Sequence, residues 1–213
     1  MTSGSGSPRA TSPSRLPRSE AGLPDLQFLI EELTSGDDDR AERASQQLAE
    51  AGAAALAVIS QLYVLGEPDQ RWWAVRTLAR FSSPEASPAL GLALTDEAAA
   101  VRQAAALGLR GTTEARALAA LAAALSDPDS LVARLAGDAL AEAGAPAIPY
   151  LELGVQDQRA RPRIEAARAL ALNADPAAIP LLFSLLDDPS SLVSYWAERG
   201  LEDHGQGMVY FLP

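Results

Sequence analysis

Apolar residues recur in this chain with two superimposed spacings. Over short stretches they fall three and four residues apart: Leu26, Leu29 and Leu33; Leu56, Ile59 and Tyr63; Leu90 and Leu94; Leu118, Leu121 and Leu125; Ile148, Leu151 and Val155; Ile179, Leu182 and Leu186. Each set lines one face of a helix. Between them stand Ala44, Ala74, Ala105, Ala136, Ala166 and Ala197, at steps of 30, 31, 31, 30 and 31, with Leu48, Leu78, Leu109, Leu140, Leu170 and Leu201 in the same register. A period of this length predicts a solenoid, because each unit is too small to bury its own apolar face and closes it by stacking on its neighbours. The spacing therefore predicts an all-α array of six pairs, each an A helix followed by a B helix, over residues 25–203. The B helices are expected at roughly 40–50, 70–81, 99–110, 131–142, 162–172 and 192–203.

The punctuation agrees with this register. Gly52, Gly111, Gly144, Asn173 and Gly205 fall just past B helices, where a left-handed residue is wanted to close the helix. The second repeat has Ser82, Ser83 and Pro84 there instead, and Pro84, Pro146 and Pro176 open the following A segments, where a missing N–H costs little. Between A and B, Asp96, Asp127, Asp157 and Asp188 recur at steps of 31, 30 and 31. Such a ladder of aspartates can accept backbone N–H bonds near the positive end of each coming helix. The recurrent alanine lets stacked helices approach to about 8–10 Å. Six pairs then give a curved rod on the order of 60 Å long.

Composition narrows the chemistry. Aromatic residues make up only 5% of the chain against 48% hydrophobic residues, so Ala and Leu must build the buried surface. There is no cysteine, which excludes disulfides, thiolate nucleophiles, Cys-held zinc and iron–sulfur clusters. His204 is the sole histidine, which excludes schemes that need two imidazoles. Asp37, Asp38 and Asp39 lack the alternating ligands, central glycine and distal glutamate of a calcium loop and read as helix capping. The net charge is −11; residues 1–24 hold Arg9, Arg15 and Arg18 against Glu20, a net +2, which leaves −13 on the rest. That charge repels phosphates and argues against nucleic acid as a partner. Residues 1–24, rich in Ser, Gly, Pro and Arg, are expected to be a disordered tail, and their four prolines prevent the amphipathic Arg face of a transit peptide. No apolar run approaches the roughly 18 residues of a membrane span, so a cytoplasmic protein is expected.

The unit from Asp127 to Leu151, DPDSLVARLAGDALAEAGAPAIPYL, resembles the short HEAT-like repeat of the phycobilisome bilin lyase (PBS lyase HEAT-like) family, as do the other five units. The resemblance implies a right-handed α-solenoid of HEAT-like repeats whose B helices line the concave face. In function it implies either a noncatalytic scaffold or maturation factor, or a bilin lyase subunit that handles a linear tetrapyrrole for an antenna phycobiliprotein subunit. The family also includes deoxyhypusine hydroxylase, but its di-iron His-Glu pairs have no counterpart here.

On the face the resemblance makes concave, Trp72 and Trp73 precede the comb alanine of the second repeat, and Tyr195 and Trp196 precede that of the sixth. Consecutive helical residues cannot share one face. Trp73 and Trp196 can wedge against the neighbouring helix, while Trp72 and Tyr195 can form an exposed platform for a protein or a planar ligand. Arg76, Arg168 and Arg199 occupy one repeat-equivalent slot; with Arg134 they can present guanidinium groups to an acidic partner. Arg71, Arg102 and Arg163 occupy another, from which they can reach the aspartate ladder. His204 reads as a cap partner, and residues 204–213, with apolar Met208, Val209, Tyr210, Phe211 and Leu212, as a tail that covers the last repeat.

No nucleophile with a matched base, no phosphate loop and no metal ligand set is visible, so intrinsic catalysis is not expected and no cofactor is implied. The expected function is a noncatalytic scaffold that grips a protein through Trp72, Arg76, Arg134, Arg168, Tyr195 and Arg199. The alternative is a bilin lyase subunit or chromophore-handling chaperone, whose ligand is a linear tetrapyrrole. A HEAT-like DNA glycosylase ranks third, against the −13 charge.

Overall fold

The computed structural model describes residues 25–81 and 84–206. The N-terminal tail expected over 1–24, Ser82 and Ser83, and the apolar stretch from Met208 to Leu212 lie outside these described residues. Within them the chain forms α1 (Leu26–Leu33), α2 (Asp38–Glu50), α3 (Ala53–Leu65), α4 (Pro68–Leu78), α5 (Ser87–Ala93), α6 (Ala99–Gly108), α7 (Ala115–Ala124), α8 (Ser130–Glu142), α9 (Ile148–Val155), α10 (Ala160–Leu172), α11 (Ile179–Ser184) and α12 (Ser191–Asp203). Odd-numbered helices are the A layer and even-numbered helices the B layer. Short 3-10 turns at Pro84–Ala86, Ala145–Ala147 and Pro176–Ala178 lead into α5, α9 and α11, each of which has a second proline in its first turn. Proline fits there because it removes only an N–H that the helix start leaves unpaired.

The comb residues form the spine of the core. Ala44, Ala74, Ala105, Ala136, Ala166 and Ala197 are all buried, as are the six leucines four residues further on. Helices of the B layer pack on one another in an unbroken row from α2 to α12, whereas in the A layer only α5, α7 and α9 pack closely. Tighter contact within B than within A curves the array with the B layer on its inner side. Where two B helices cross, one of them has no side chain to spare: a Cβ on Gly108 would lie 2.6 Å from that of Ala79, and one on Gly200 would lie 2.7 Å from Cα of Ala171.

The outward positions change character in α12, the last helix among the described residues. The position after the comb alanine is buried in the earlier B helices, as Ser45, Val75, Ala106, Gly137 and Ala167, but is exposed Glu198 in α12. Glu202 likewise replaces the Ala141 and Ala171 of α8 and α10, which are buried. At these two positions α12 therefore turns carboxylates outward where the earlier B helices bury small or apolar side chains.

Two ladders run along the edges of the array. At the A-to-B links, Arg71, Arg102 and Arg163 each reach forward to the aspartate of the next repeat: Arg71 Nε to Asp96 at 2.9 Å, Arg102 to Asp127 at 2.7 Å and Arg163 to Asp188 at 2.8 Å. Each pair is bidentate, and a third guanidinium nitrogen donates to carbonyls of the link behind. The fourth repeat has Ala133 at this slot, and Arg159, two residues beyond Asp157, supplies the guanidinium instead at 2.8 Å. On the opposite edge Asn173 does not adopt the expected left-handed conformation; its φ is −76°, unlike Gly52, Gly111, Gly144 and Gly205. The reason is a tertiary bond. Buried Asn173 donates its amide to the carbonyl of Gly144 at 3.0 Å and accepts at its own carbonyl from His204 Nε2, 3.0 Å away.

The first ladder makes stability depend on acid pH. Arg159 holds the Asp157 carboxyl down to about 2, and Arg163 holds Asp188 below its ordinary range. Burial pushes Asp96 up, but the bonds from Arg71 and the Ala98 N–H outweigh it, so its pKa also falls. Depressed carboxyls contribute stability above their unfolded pKa, near 3.8, and lose it as pH falls toward 2. The melting temperature is expected to drop between pH 4 and pH 2, less steeply in Asp157→Asn, when followed by circular dichroism. A melting temperature constant to pH 2 would exclude the ladder as a source of stability.

Candidate functional site

The inner face is built from the B-helix positions that the comb leaves outward. Trp72 and Arg76 on α4 and Arg80 in the turn just past its end share one stripe, and the facing stripe of α6 carries Gln103, Ala104, Leu107 and Gly108; together with Ala79 these line a cleft of about 400 Å³. Trp72 is half-buried and meets Trp73 edge-on, with ring centroids 4.9 Å apart at 84°. The guanidinium of Arg76 lies over the Trp72 ring at 5.4 Å, within the range in which the ring face attracts a cation. Leu107, 48% exposed, forms the opposite wall. Gly108 and Ala79, the residue that caps α4, form the floor of the cleft, too close for a Cβ on Gly108.

Glu42, one repeat earlier on α2, completes this site. Arg76 Nε donates to Glu42 Oε2 at 3.0 Å, and Arg80 Nη2 donates to the other oxygen of the same carboxylate. The Arg76 hydrogen bond, reinforced by Arg80, outweighs partial burial and holds the Glu42 carboxyl below its ordinary range. Nothing in the local sequence marked Glu42. Its partner is 34 residues away, one period plus one helical turn, and that combined spacing is the signal that could have found it.

The remaining expected contacts spread along the face and do not converge. Arg134 on α8 is exposed and only loosely paired, 3.8 Å from Glu165. Tyr195 on α12 is 53% exposed and meets half-buried Trp196 at 5.4 Å and 71°. Arg199 turns to acids of its own helix, 3.1 Å from Asp203 and 3.8 Å from Glu202. Arg168 is a correction. It is 5% exposed, bonded to Asp138 at 2.8 Å, Glu165 at 3.0 Å and the carbonyl of Arg134 at 2.9 Å, and cannot serve as a contact for a partner. Gly137 makes room for it, since a Cβ there would stand 3.3 Å from Arg168 Nη2. Three arginines at one slot thus have three fates, set by what the preceding repeat offers.

Sequence reasoning missed the outer face. Val64, Leu65, Leu92, Leu153 and Phe183 of the A layer are exposed, and a second cleft of about 370 Å³ opens between α7 and α9 among Ala119, Ala122, Ala123, Tyr150 and Leu153. The signal was present in α3, where Ser60 and Gln61 interrupt an otherwise apolar helix that should have alternated more. No group of three or more His, Asp or Glu side chains among the described residues could hold a metal ion, and no described helix is long and apolar enough to cross a membrane.

Comparison with known proteins bears on this architecture. The HEAT repeats family matches residues 26–110, and the PBS lyase HEAT-like repeat matches residues 162–188. No curated protein matches the sequence. Among solved structures, the complex of CpcE and CpcF of phycocyanin lyase from Nostoc sp. PCC7120 is similar at 24% identity, covering 68% of this chain and 96% of its own, with a TM-score of 0.54. YibA of Escherichia coli is similar at 18% identity, covering 92% of this chain and 78% of its own, with a TM-score of 0.52. At these identities both support the fold alone. The all-helical stacking and the comb agree with the two family matches: the chain is an all-helical solenoid whose residues 26–110 match HEAT repeats and whose residues 162–188 match the PBS lyase HEAT-like repeat.

Proposed function

We propose that the protein is a noncatalytic scaffold or assembly factor that binds a protein partner along the inner B-helix face, anchored at the Trp72 cleft. The observation that carries this reading is the cleft itself: a half-buried tryptophan, an exposed leucine and two guanidinium groups meet on a concave surface. Interfaces concentrate their energy in such Trp- and Arg-centred pockets. Arg134, Tyr195 and Arg199, further along the same face, extend the contact without forming a second pocket. The test is capture of partners from the native cell by the wild type, by a Trp72→Ala/Arg76→Glu/Arg134→Glu variant and by an outer-face control, Leu153→Glu. A partner lost only in the first variant supports the inner face. Loss of the same partner only in the control would move the interface to the A layer.

A second reading, a bilin lyase subunit or chromophore-handling chaperone, is favoured by the family match at residues 162–188. It predicts a new visible absorbance band when the protein is mixed with a linear tetrapyrrole. Silence with bilin and with an antenna subunit would remove it.

A further inference from the structure

The three arginines of the shared slot differ in how much of their charge is already used. Arg168 is buried among two carboxylates and a carbonyl, and Arg199 lies beside two acids of its own helix. Arg76 and Arg80 instead share Glu42, the one carboxylate within ion-pair distance of either among the described residues. Two guanidinium groups against one carboxylate leave this cluster with a net positive charge. Its members are neither buried nor fully solvated: Arg76 is 42% exposed, Arg80 34% and Glu42 43%. The excess charge sits at the rim of a cleft whose wall and floor, Trp72, Ala79, Ala104, Leu107 and Gly108, are apolar.

From this arrangement we propose that the cleft selects a partner segment with a bulky apolar side chain next to a carboxylate, and that Glu42 competes from within for the same two arginines. The inference rests on the inner-face reading above and adds the chemistry of what is bound. A volume of about 400 Å³ lies at the small end of ligand pockets and suits one or two side chains of a peptide. The apolar side chain fills the space between Trp72 and Leu107; the carboxylate accepts from guanidinium nitrogens that Glu42 does not occupy. A guanidinium offers five donors in a fixed fork, so Arg76 can serve Glu42 and a second acceptor together. The protein's overall negative charge does not forbid this. Screening limits its reach to about 8 Å at physiological salt, so a single carboxylate at the rim responds chiefly to the local pair, while a polyanion would meet the acidic surface beyond.

The experiment uses four capped, fluorophore-labelled peptides that share glycine flanks and differ at the central dipeptide: Phe-Asp, Phe-Asn, Ala-Asp and Phe-Lys. Binding is read by fluorescence anisotropy with the wild type and with Glu42→Gln and Arg80→Gln. Phe-Asp is expected to bind at least about threefold tighter than each of the others. Glu42→Gln is expected to tighten Phe-Asp by roughly threefold to fivefold and leave Phe-Asn unchanged, and Arg80→Gln to abolish the preference for acid. Equal binding of Phe-Asp and Phe-Asn, no response to Glu42→Gln, or no binding of any peptide would each overturn the proposal. If those failures occur while the captured partner is still lost in the Trp72→Ala/Arg76→Glu/Arg134→Glu variant, the inner-face scaffold stands and only the ligand chemistry is wrong. If that variant retains its partner, both readings fail.

Discussion

Arg168→Ala is expected to destabilise the array by about 3 kcal/mol, a fall of roughly 6–12 °C in melting temperature for a chain of this size. Attraction between the ions is the smaller reason. The larger is what remains afterwards: Glu165, whose side chain is 12% exposed, would lose its closer cation and keep only Arg134 at 3.8 Å, and the carbonyl of Arg134 would lose a donor. Asp138, 32% exposed, can rehydrate and contributes less. Removing one partner of a buried pair costs far more than replacing both by apolar groups. Arg168→Leu/Glu165→Leu is therefore expected to recover most of the loss in urea denaturation. A single variant within about 1 kcal/mol of the wild type, or a double variant no better than the single, would contradict this account.

Arg168 also marks where the sequence stops being legible. The comb fixes the period, the layer order and the close helix crossings, because small and branched residues must return wherever two backbones meet. The aspartate ladder and its arginines were readable for the same reason: both ends of each pair repeat. A residue's fate within a repeated slot is different, since it depends on residues about 30 positions away that do not repeat. Gly137 opens a hole for Arg168, Glu42 draws Arg76 and Arg80 together, and among the described residues Arg199 pairs with the acids of its own helix. Asn173 escaped for a similar reason; a local rule for helix ends predicted its backbone, but its amide bond to Gly144 in the preceding repeat decided it. The candidate site was half legible: Trp72 and Arg76 were expected on this face, while Leu107 and Glu42, which complete the cleft and its charge, were not.

Gly200→Leu carries the other large expected effect, and Gly91 supplies its control. Both glycines lie inside helices, α12 and α5, where glycine is less favourable than alanine by up to about 1 kcal/mol. Their surroundings are opposite. A Cβ on Gly200 would fall 2.7 Å from Cα of Ala171 and 2.9 Å from Leu182 Cδ1, so backbone and core would both have to move. A Cβ on Gly91 would meet nothing nearer than the Cβ of Ala120 at 4.0 Å. Gly91→Ala is therefore expected to stabilise by about 0.5–1 kcal/mol. Gly200→Leu is expected to cost about 3 kcal/mol through overpacking. In a solenoid, where each repeat is held by its neighbours, that loss should appear first as early unfolding of the last repeat. Trp196, half-buried on α12, reports that repeat, while Trp72 and Trp73 on α4 report the second. With Trp72 and Trp73 changed to Phe, the fluorescence of Trp196 is expected to unfold at lower urea in Gly200→Leu than the helical signal of the whole chain. Coincident transitions at the wild-type midpoint would mean that α10 and α12 do not approach as closely as the comb requires.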